Sequence, residues 1–162
     1  MPPWSLVIIS GLTAAGSPTA ILPELQLHTG HSIMVKRQNI SSGSKFEEAY
    51  GYSRAVKVGD TLYISGTIGM DYTAGEVPKE PAAQVRQIIK NFEPALEAAG
   101  AKLSDIVQIT TYVTAPEIFQ EVGPELGKIF GDIRPTNAAL VVAFPVPDVV
   151  VEIAAVAVIG CE

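Results

Sequence analysis

Two apolar runs near the end of the chain carry its clearest pattern. Residues 134–144 and 149–158 are rich in β-branched side chains and are separated by Pro145-Val-Pro-Asp148, so they are read as two neighbouring strands. At a period of two, both faces of each run are apolar: Leu140, Val142 and Phe144 against Val141 and Ala143, then Val150, Val156 and Val158 against Val149, Val151 and Ile153. Such strands are expected to be covered on both sides. Glu152 interrupts the second run, where an unpaired charge costs on the order of several kcal/mol. It therefore needs a partner or faces a cleft.

Upstream, residues 53–58 read as a strand, Gly59-Asp60 as a tight turn and residues 61–70 as a second strand, with the chain turned back by residues 71–75. Alternation along the second strand puts Leu62, Ile64 and Ile68 on one face and Tyr63, Ser65 and Thr67 on the other. Pro81 opens a helix in which Val85, Ile88, Ile89, Phe92, Leu96 and Ala99 recur at helical spacing until Gly100, with a bend expected at Pro94. A strand at 106–114 follows, Val107, Ile109 and Val113 facing one way and Gln108, Thr110 and Tyr112 the other. Thr114-Ala-Pro-Glu117 reads as a capping box that starts a second helix ending at Gly131, with Gly123-Pro124 expected to kink or split it. The order is ββαβαββ, an α+β domain with two helices on one face of a sheet. Nothing else in the chain covers the second face, which implies a symmetric oligomer of packed sheets.

Charge and composition narrow the function. With 162 residues, 48% hydrophobic, 17% charged and a formal net charge of −6, the chain fits one domain with little charged surface. No cluster of Lys and Arg supports binding to DNA, and RNA is disfavoured on the same ground. The single Cys161 allows no intrachain disulfide or Cys-based zinc site, and reads as a spectator thiol in a reducing compartment, hence a cytoplasmic location. Residues 1–33 hold one charge, Glu24, several prolines and glycines, and both histidines, His28 and His31. They read as a disordered tail or a start placed too early, with the domain at 34–162; Leu6-Val-Ile-Ile9 is too short to span a membrane. Ala14 to Ala20 imitates a secretory cleavage site and leaves secretion as the lesser reading.

From Met34 onward there is no histidine, so Ser-His-Asp and Cys-His nucleophilic catalysis are excluded and a metal site is not expected. No glycine-rich phosphate loop supports a nucleotide cofactor, and none of any kind is expected. Glu152 is the best candidate for acid–base work, since its strand neighbours would desolvate it. Pairing with a backbone amide or an arginine at a subunit contact is the competing reading.

Gly51-Tyr52-Ser-Arg-Ala-Val56, Leu62-Tyr-Ile-Ser65-Gly66-Thr-Ile68, Gly75-Glu-Val-Pro78, Ala82-Ala-Gln-x-Arg-Gln87, Glu97-Ala-Ala-Gly100, Asp105-Ile-Val107, Arg134-Pro135 and Val151-Glu152-Ile-x-Ala155 together resemble the RidA (YjgF/YER057c/UK114) family. The resemblance implies a chorismate-mutase-like α+β fold, a homotrimer with ligand clefts between subunits, and cofactor-independent hydrolysis of reactive enamines and imines to ammonia and a 2-oxo acid. Other members of the family have been described as ribonucleases or translation inhibitors. It places Glu152 at the water-activating glutamate, and Tyr52, Ser65 and Gly66 at cleft positions. By the Pro-x-Arg spacing, the arginine that grips the substrate carboxylate falls on Asn137, and the following cysteine on Ala139. An amide cannot replace a permanently charged, forked guanidinium. The expected function is thus hydrolysis or deamination of a small imine, enamine, carbonyl or amide metabolite, with the usual 2-imino acids poor substrates. The alternative is a non-catalytic metabolite-binding or protein-interaction trimer.

Overall fold

The computed structural model describes residues 34–161; the tail expected at 1–33, with His28 and His31, lies outside the described residues. The elements run β1 (Arg37–Ile40), α1 (Lys45–Tyr50), β2 (Ala55–Val58), β3 (Thr61–Ile68), α2 (Pro81–Ala99), a 3-10 turn at Leu103–Asp105, β4 (Ile106–Val113), α3 (Pro116–Phe130), β5 (Thr136–Val141) and β6 (Val151–Val158). They form one six-stranded sheet in the order β1-β2-β3-β6-β4-β5, with β4 and β5 parallel and every other pair antiparallel.

The long helix α2 forms where its spacing predicts. Proline takes the first helical position, where no backbone donor is needed, and Gly100 ends the helix in the left-handed region at φ 73°. Val85, Ile88, Phe92, Leu96 and Ala99 are buried along one face, while Pro94 sits on the exposed side without ending the helix. α3 likewise runs unbroken across Pro124, so the split expected there does not occur. Val122, Leu126 and Phe130 from α3 join Leu62, Ile64, Ile109, Ile153 and Ala155 from the strands in a single core cluster between helices and sheet.

Several expectations are corrected. The two final strands are not neighbours: β6 lies between β3 and β4, and β5 is at the edge beside β4. The connecting residues 142–150 cross the end of β4, tied there by Val142 N–H to Val113 O at 2.8 Å and Thr114 N–H to Val150 O at 3.2 Å. The capping box at Thr114 is absent, because Ala115 occupies the cap with no side-chain bond and Thr114, just past the end of β4, donates its N–H to Val150 O. Two bulges break the expected alternation. Between Ile64 and Thr67, β3 has one residue more than β6, so Thr67 turns into the core and Ile68 turns out opposite Glu152. Between Ile106 and Gln108 a second bulge buries Ile106 and exposes Val107. β1 and α1 were not foreseen: β1 is Arg-Gln-Asn-Ile with one buried residue, and six residues are too few for a helical period to show. Ser44, whose hydroxyl accepts from Phe46 N–H, and Gly51 at φ 69° are the local signals that bracket α1.

The sheet's second face carries Tyr63, Leu140 and Val107 exposed, with Ala154 and Val156 only half-buried.

Gln84, fully buried in α2, fixes the loop that leads into β6. Its Nε2 donates to Pro78 O and Asp148 O, both at 2.8 Å, and its Oε1 accepts from Val150 N–H at 3.0 Å. Gln84→Leu keeps the volume and leaves all three backbone groups without that partner. We expect a loss of about 2–4 kcal/mol and a melting temperature lower by roughly 5–15 °C in a thermal scan; an unchanged melt would mean the loop is held elsewhere.

Candidate functional site: a carboxylate cleft

The bulge in β3 builds the site. Gly66 lies within it, and a Cβ added there would sit 2.9 Å from Cδ of Glu152 and overlap Oε1. Glycine at this position therefore makes the space that the Glu152 carboxylate occupies. Glu152 comes from β6, paired with Ile68 on β3 and Tyr112 on β4. Burial raises its pKa above the ordinary glutamate range, and the nearby Arg54 charge opposes that rise without cancelling it.

Around this carboxylate is a cleft of about 410 Å³ lined by Phe46, Tyr50, Tyr52, Tyr72, Phe144, Arg54, Gly66 and Glu152, among others. The unforeseen α1 supplies part of the wall: Phe46 and Tyr50 stack with ring centroids 5.8 Å apart. Glu47 anchors that helix by accepting from the Ser41 hydroxyl at 2.6 Å and Ser42 N–H at 3.1 Å. Burial pushes the Glu47 carboxyl up, but the Ser41 and Ser42 bonds outweigh it and hold its pKa down. The Tyr72 phenol is raised, chiefly by burial, and so stays a hydrogen-bond donor.

Of the residues singled out from sequence, Tyr52, Gly66 and Glu152 line this cleft together. Ser65 does not; its hydroxyl donates to Ser53 O at 2.7 Å and its N–H to Arg54 O at 3.0 Å, so it fastens β3 to the segment entering β2. Asn137 is also elsewhere. It pairs with Ile109 on the helix-covered side of the sheet, and its Oδ1 accepts from Thr111 Oγ1 at 3.1 Å. Glu152 pairs with Tyr112 on the opposite face. Within one chain Asn137 does not line the Glu152 cleft. Arg134, expected on an extended strand, precedes β5 at φ 52° and donates from Nε to Gly131 O at 3.0 Å.

The sequence reading missed Arg54 and Tyr72. Arg54 is only 6% exposed, and its Nη1 donates to Thr67 Oγ1 at 2.8 Å and Gly66 O at 3.3 Å. A usable signal existed: Arg54 alternates with Val56 and Val58, a charge on an otherwise apolar strand face, as Glu152 is among its own neighbours. Among the described residues no group of three His, Cys, Asp or Glu side chains is placed to hold a metal ion, and no helix is long and apolar enough to cross a membrane.

The fold and cleft define an α+β protein whose bulged strand seats one carboxylate against a glycine. Residues 42–159 match the family described as Endoribonuclease L-PSP. A RutC family protein of Pyrococcus horikoshii is 36% identical over 107 residues, covering 65% of this chain and 85% of the relative. A 2-iminobutanoate/2-iminopropanoate deaminase of Rattus norvegicus is 36% identical over 125 residues, covering 76% and 91%. A crystal structure of a YjgF/YER057c/UK114 family member from Mycobacterium tuberculosis has a TM-score of 0.69 at 40% identity, covering 76% of this chain and all of that one. The chain belongs to the RidA family, as its motifs suggested.

Proposed function

We propose that the protein is a cofactor-independent hydrolase that deaminates a small reactive imine or enamine, or opens a related carbonyl or amide compound, as a cytoplasmic homotrimer. The observation that carries this reading is the Glu152 carboxylate, held at raised pKa against Gly66 in an aromatic-lined cleft. Glu152 is the base: it takes a proton from water as the water oxygen bonds to the imine carbon and the C=N π pair moves to nitrogen. Glu152 returns that proton to the nitrogen, a second proton turns the amine into a leaving ammonia, and the hydroxyl loses its proton as the C–N bond breaks, leaving a carbonyl. Tyr52 and the Gly66 backbone border the reacting carbon, and Ser65 supports them through the strand rather than by contact. Relatives described as 2-iminobutanoate/2-iminopropanoate deaminases support the chemistry.

The trimer is supported by the open sheet face with Tyr63 and Leu140 and by the position of Asn137, which reaches a ligand over Glu152 only from a second copy. Where the family resemblance places an arginine, Asn137 offers an amide, which donates and accepts but carries no charge. That substitution is also what favours the second reading, a trimer that binds a metabolite without converting it.

Ammonia release from imines made in situ by an amino acid oxidase tests the proposal. Wild-type protein should hydrolyse 2-iminopropanoate slowly, and Asn137→Arg should raise kcat/KM by about ten- to a hundredfold, the worth of a restored charge-assisted pair. Wild-type activity already equal to that of an arginine-bearing relative would refute the role of position 137. If Asn137→Arg binds a 2-oxo acid tightly without gaining turnover, the binder reading replaces the hydrolase.

A further inference from the structure

Five aromatic rings converge on the Glu152 cleft from separate parts of the chain. Phe46 and Tyr50 stand on α1, Tyr52 just beyond its end, Tyr72 on the turn after β3 and Phe144 on the loop after β5. The sequence has five tyrosines, five phenylalanines and one tryptophan, yet the buried core cluster takes only Phe92 and Phe130 from among them. Four of the cleft rings, Phe46, Tyr50, Tyr52 and Tyr72, are between 40% and 75% exposed. Rings left in water contribute little to folding. Gathered around a concavity, they make the wall of a site for an apolar ligand.

The rings are also held in place. Phe46 and Tyr50, one helical turn apart, have planes 17° from parallel. Ser44 and Gly51 cap α1 at its two ends, and Tyr52 N–H donates at 3.0 Å to the carbonyl oxygen of Glu47, whose carboxylate anchors the helix to Ser41 and Ser42. Tyr72 rides on a turn closed by Asp71, whose Oδ1 accepts from Thr73 N–H at 2.9 Å and Ala74 N–H at 3.1 Å. A ring pair four residues apart steadies a helix only slightly. Tyr52, Tyr72 and Phe144 lie outside that helix, so stabilising α1 does not account for the cluster. Rings on a fixed backbone lose little freedom when a flat ligand settles against them. An imine the size of 2-iminopropanoate would leave most of a cleft of about 410 Å³ to water, a volume that can enclose much larger ligands.

We propose that the cleft takes an imine or carbonyl compound bearing an aromatic ring, with the reacting carbon over Glu152 and the ring against Phe46 and Tyr50. This rests on the cleft being the ligand site, and it deepens the hydrolase reading by naming a substrate class, aryl-substituted rather than short-chain. Offset or edge-to-face contact between rings adds to what burial alone gives. A phenyl group is therefore preferred to a saturated ring of the same size.

The test is binding, read by calorimetry on the full-length protein at neutral pH. The probes are butan-2-one, 4-phenylbutan-2-one and 4-cyclohexylbutan-2-one, none of which carries a charge. Wild-type protein should bind the phenyl ketone at least about tenfold more tightly than butan-2-one, and about two- to tenfold more tightly than the cyclohexyl ketone. Replacing both rings, Phe46→Leu with Tyr50→Leu, keeps apolar bulk and should bring the phenyl and cyclohexyl ketones to equal affinity. Phe119→Leu, which alters a ring packed on the core from α3, should keep the wild-type order. The proposal is overturned if the phenyl ketone does not bind, if it binds no more tightly than either other ketone, if the folded double variant retains the phenyl preference, or if Phe119→Leu removes it. It is also overturned if light scattering finds the double variant in a smaller assembly than wild type, because the rings then belong to a contact between copies. Should the double variant fail to fold, as judged by circular dichroism, Tyr50→Leu decides, at the most exposed of the rings: an undiminished phenyl preference overturns the proposal. No turnover is read, so a protein that prefers the phenyl ketone yet converts no imine sinks the hydrolase reading and leaves this one standing. Turnover of 2-iminopropanoate without a phenyl preference does the reverse.

Discussion

Glu152→Gln should lower imine hydrolysis by about 10²–10⁴-fold while leaving the protein folded. The amide has the shape of the carboxylate and fits against Gly66, but it cannot take the proton of an attacking water. Glu152 is raised above the usual glutamate range by burial, against the pull of Arg54, and two consequences follow. First, a base acts only when ionised, so wild-type kcat/KM should climb with pH through the raised value and level off above it; Glu152→Gln should lose that limb. Second, a carboxyl group with a raised folded-state pKa contributes most stability below its unfolded pKa. That contribution is lost as pH rises through the folded pKa, so near neutrality the ionised group is penalised and the glutamine variant should melt no lower than wild type. Initial rates across pH and paired thermal scans check both. Undiminished turnover in Glu152→Gln would remove the base from the mechanism.

The second large effect concerns assembly. Val156 lies at the centre of the open sheet face, paired with Tyr63 on β3 and beside Gln108 and Thr110 of β4 in a shallow depression. Against a second copy, Val156→Asp would bury a carboxylate with no partner, a loss of about 3 kcal/mol or more at each of three contacts. If the protein is the proposed trimer, light scattering should show its mass fall to that of a monomer at micromolar concentration, and activity should fall with it because the cleft would no longer be completed by a second copy. A variant that stays trimeric would place the interface elsewhere; a wild-type monomer would remove the trimer altogether.

Much of this was legible in the sequence, for identifiable reasons. α2 is long, strongly periodic, and bounded by Pro81 and Gly100, so its ends fall where spacing predicts. β6 alternates cleanly between buried Val151, Ile153, Ala155 and Ala157 and half-buried neighbours, which is why Glu152 stood out as a charge needing an explanation. Strand order was not legible. The apolar character of residues 136–141 says that they form a strand, but long-range pairing put β5 parallel to β4 and away from β6. The bulges were also hidden, since a single extra residue in a strand leaves the composition unchanged while reversing every side chain beyond it. That reversal decides the site: it turns Thr67 inward to accept from Arg54 and sets Ile68, not Thr67, opposite Glu152. Ser65 and Asn137 were placed in the cleft by family resemblance, and in a single chain neither lines it. Arg54 carried a signal of its own, a charge alternating with Val56 and Val58.

A crystal structure of the protein grown with 2-oxobutanoate would test the central claim, that the Glu152 cleft is where chemistry happens. The expected result is a trimer with the ligand carbonyl carbon within reach of Glu152 and Gly66, its walls formed by Tyr52 and Tyr72, and the opening closed by a second copy. Density for the acid only in a separate cavity of about 510 Å³ lined by Lys90 and Asn91 among others, with the Glu152 cleft empty or filled by a neighbouring chain's side chain, would contradict it.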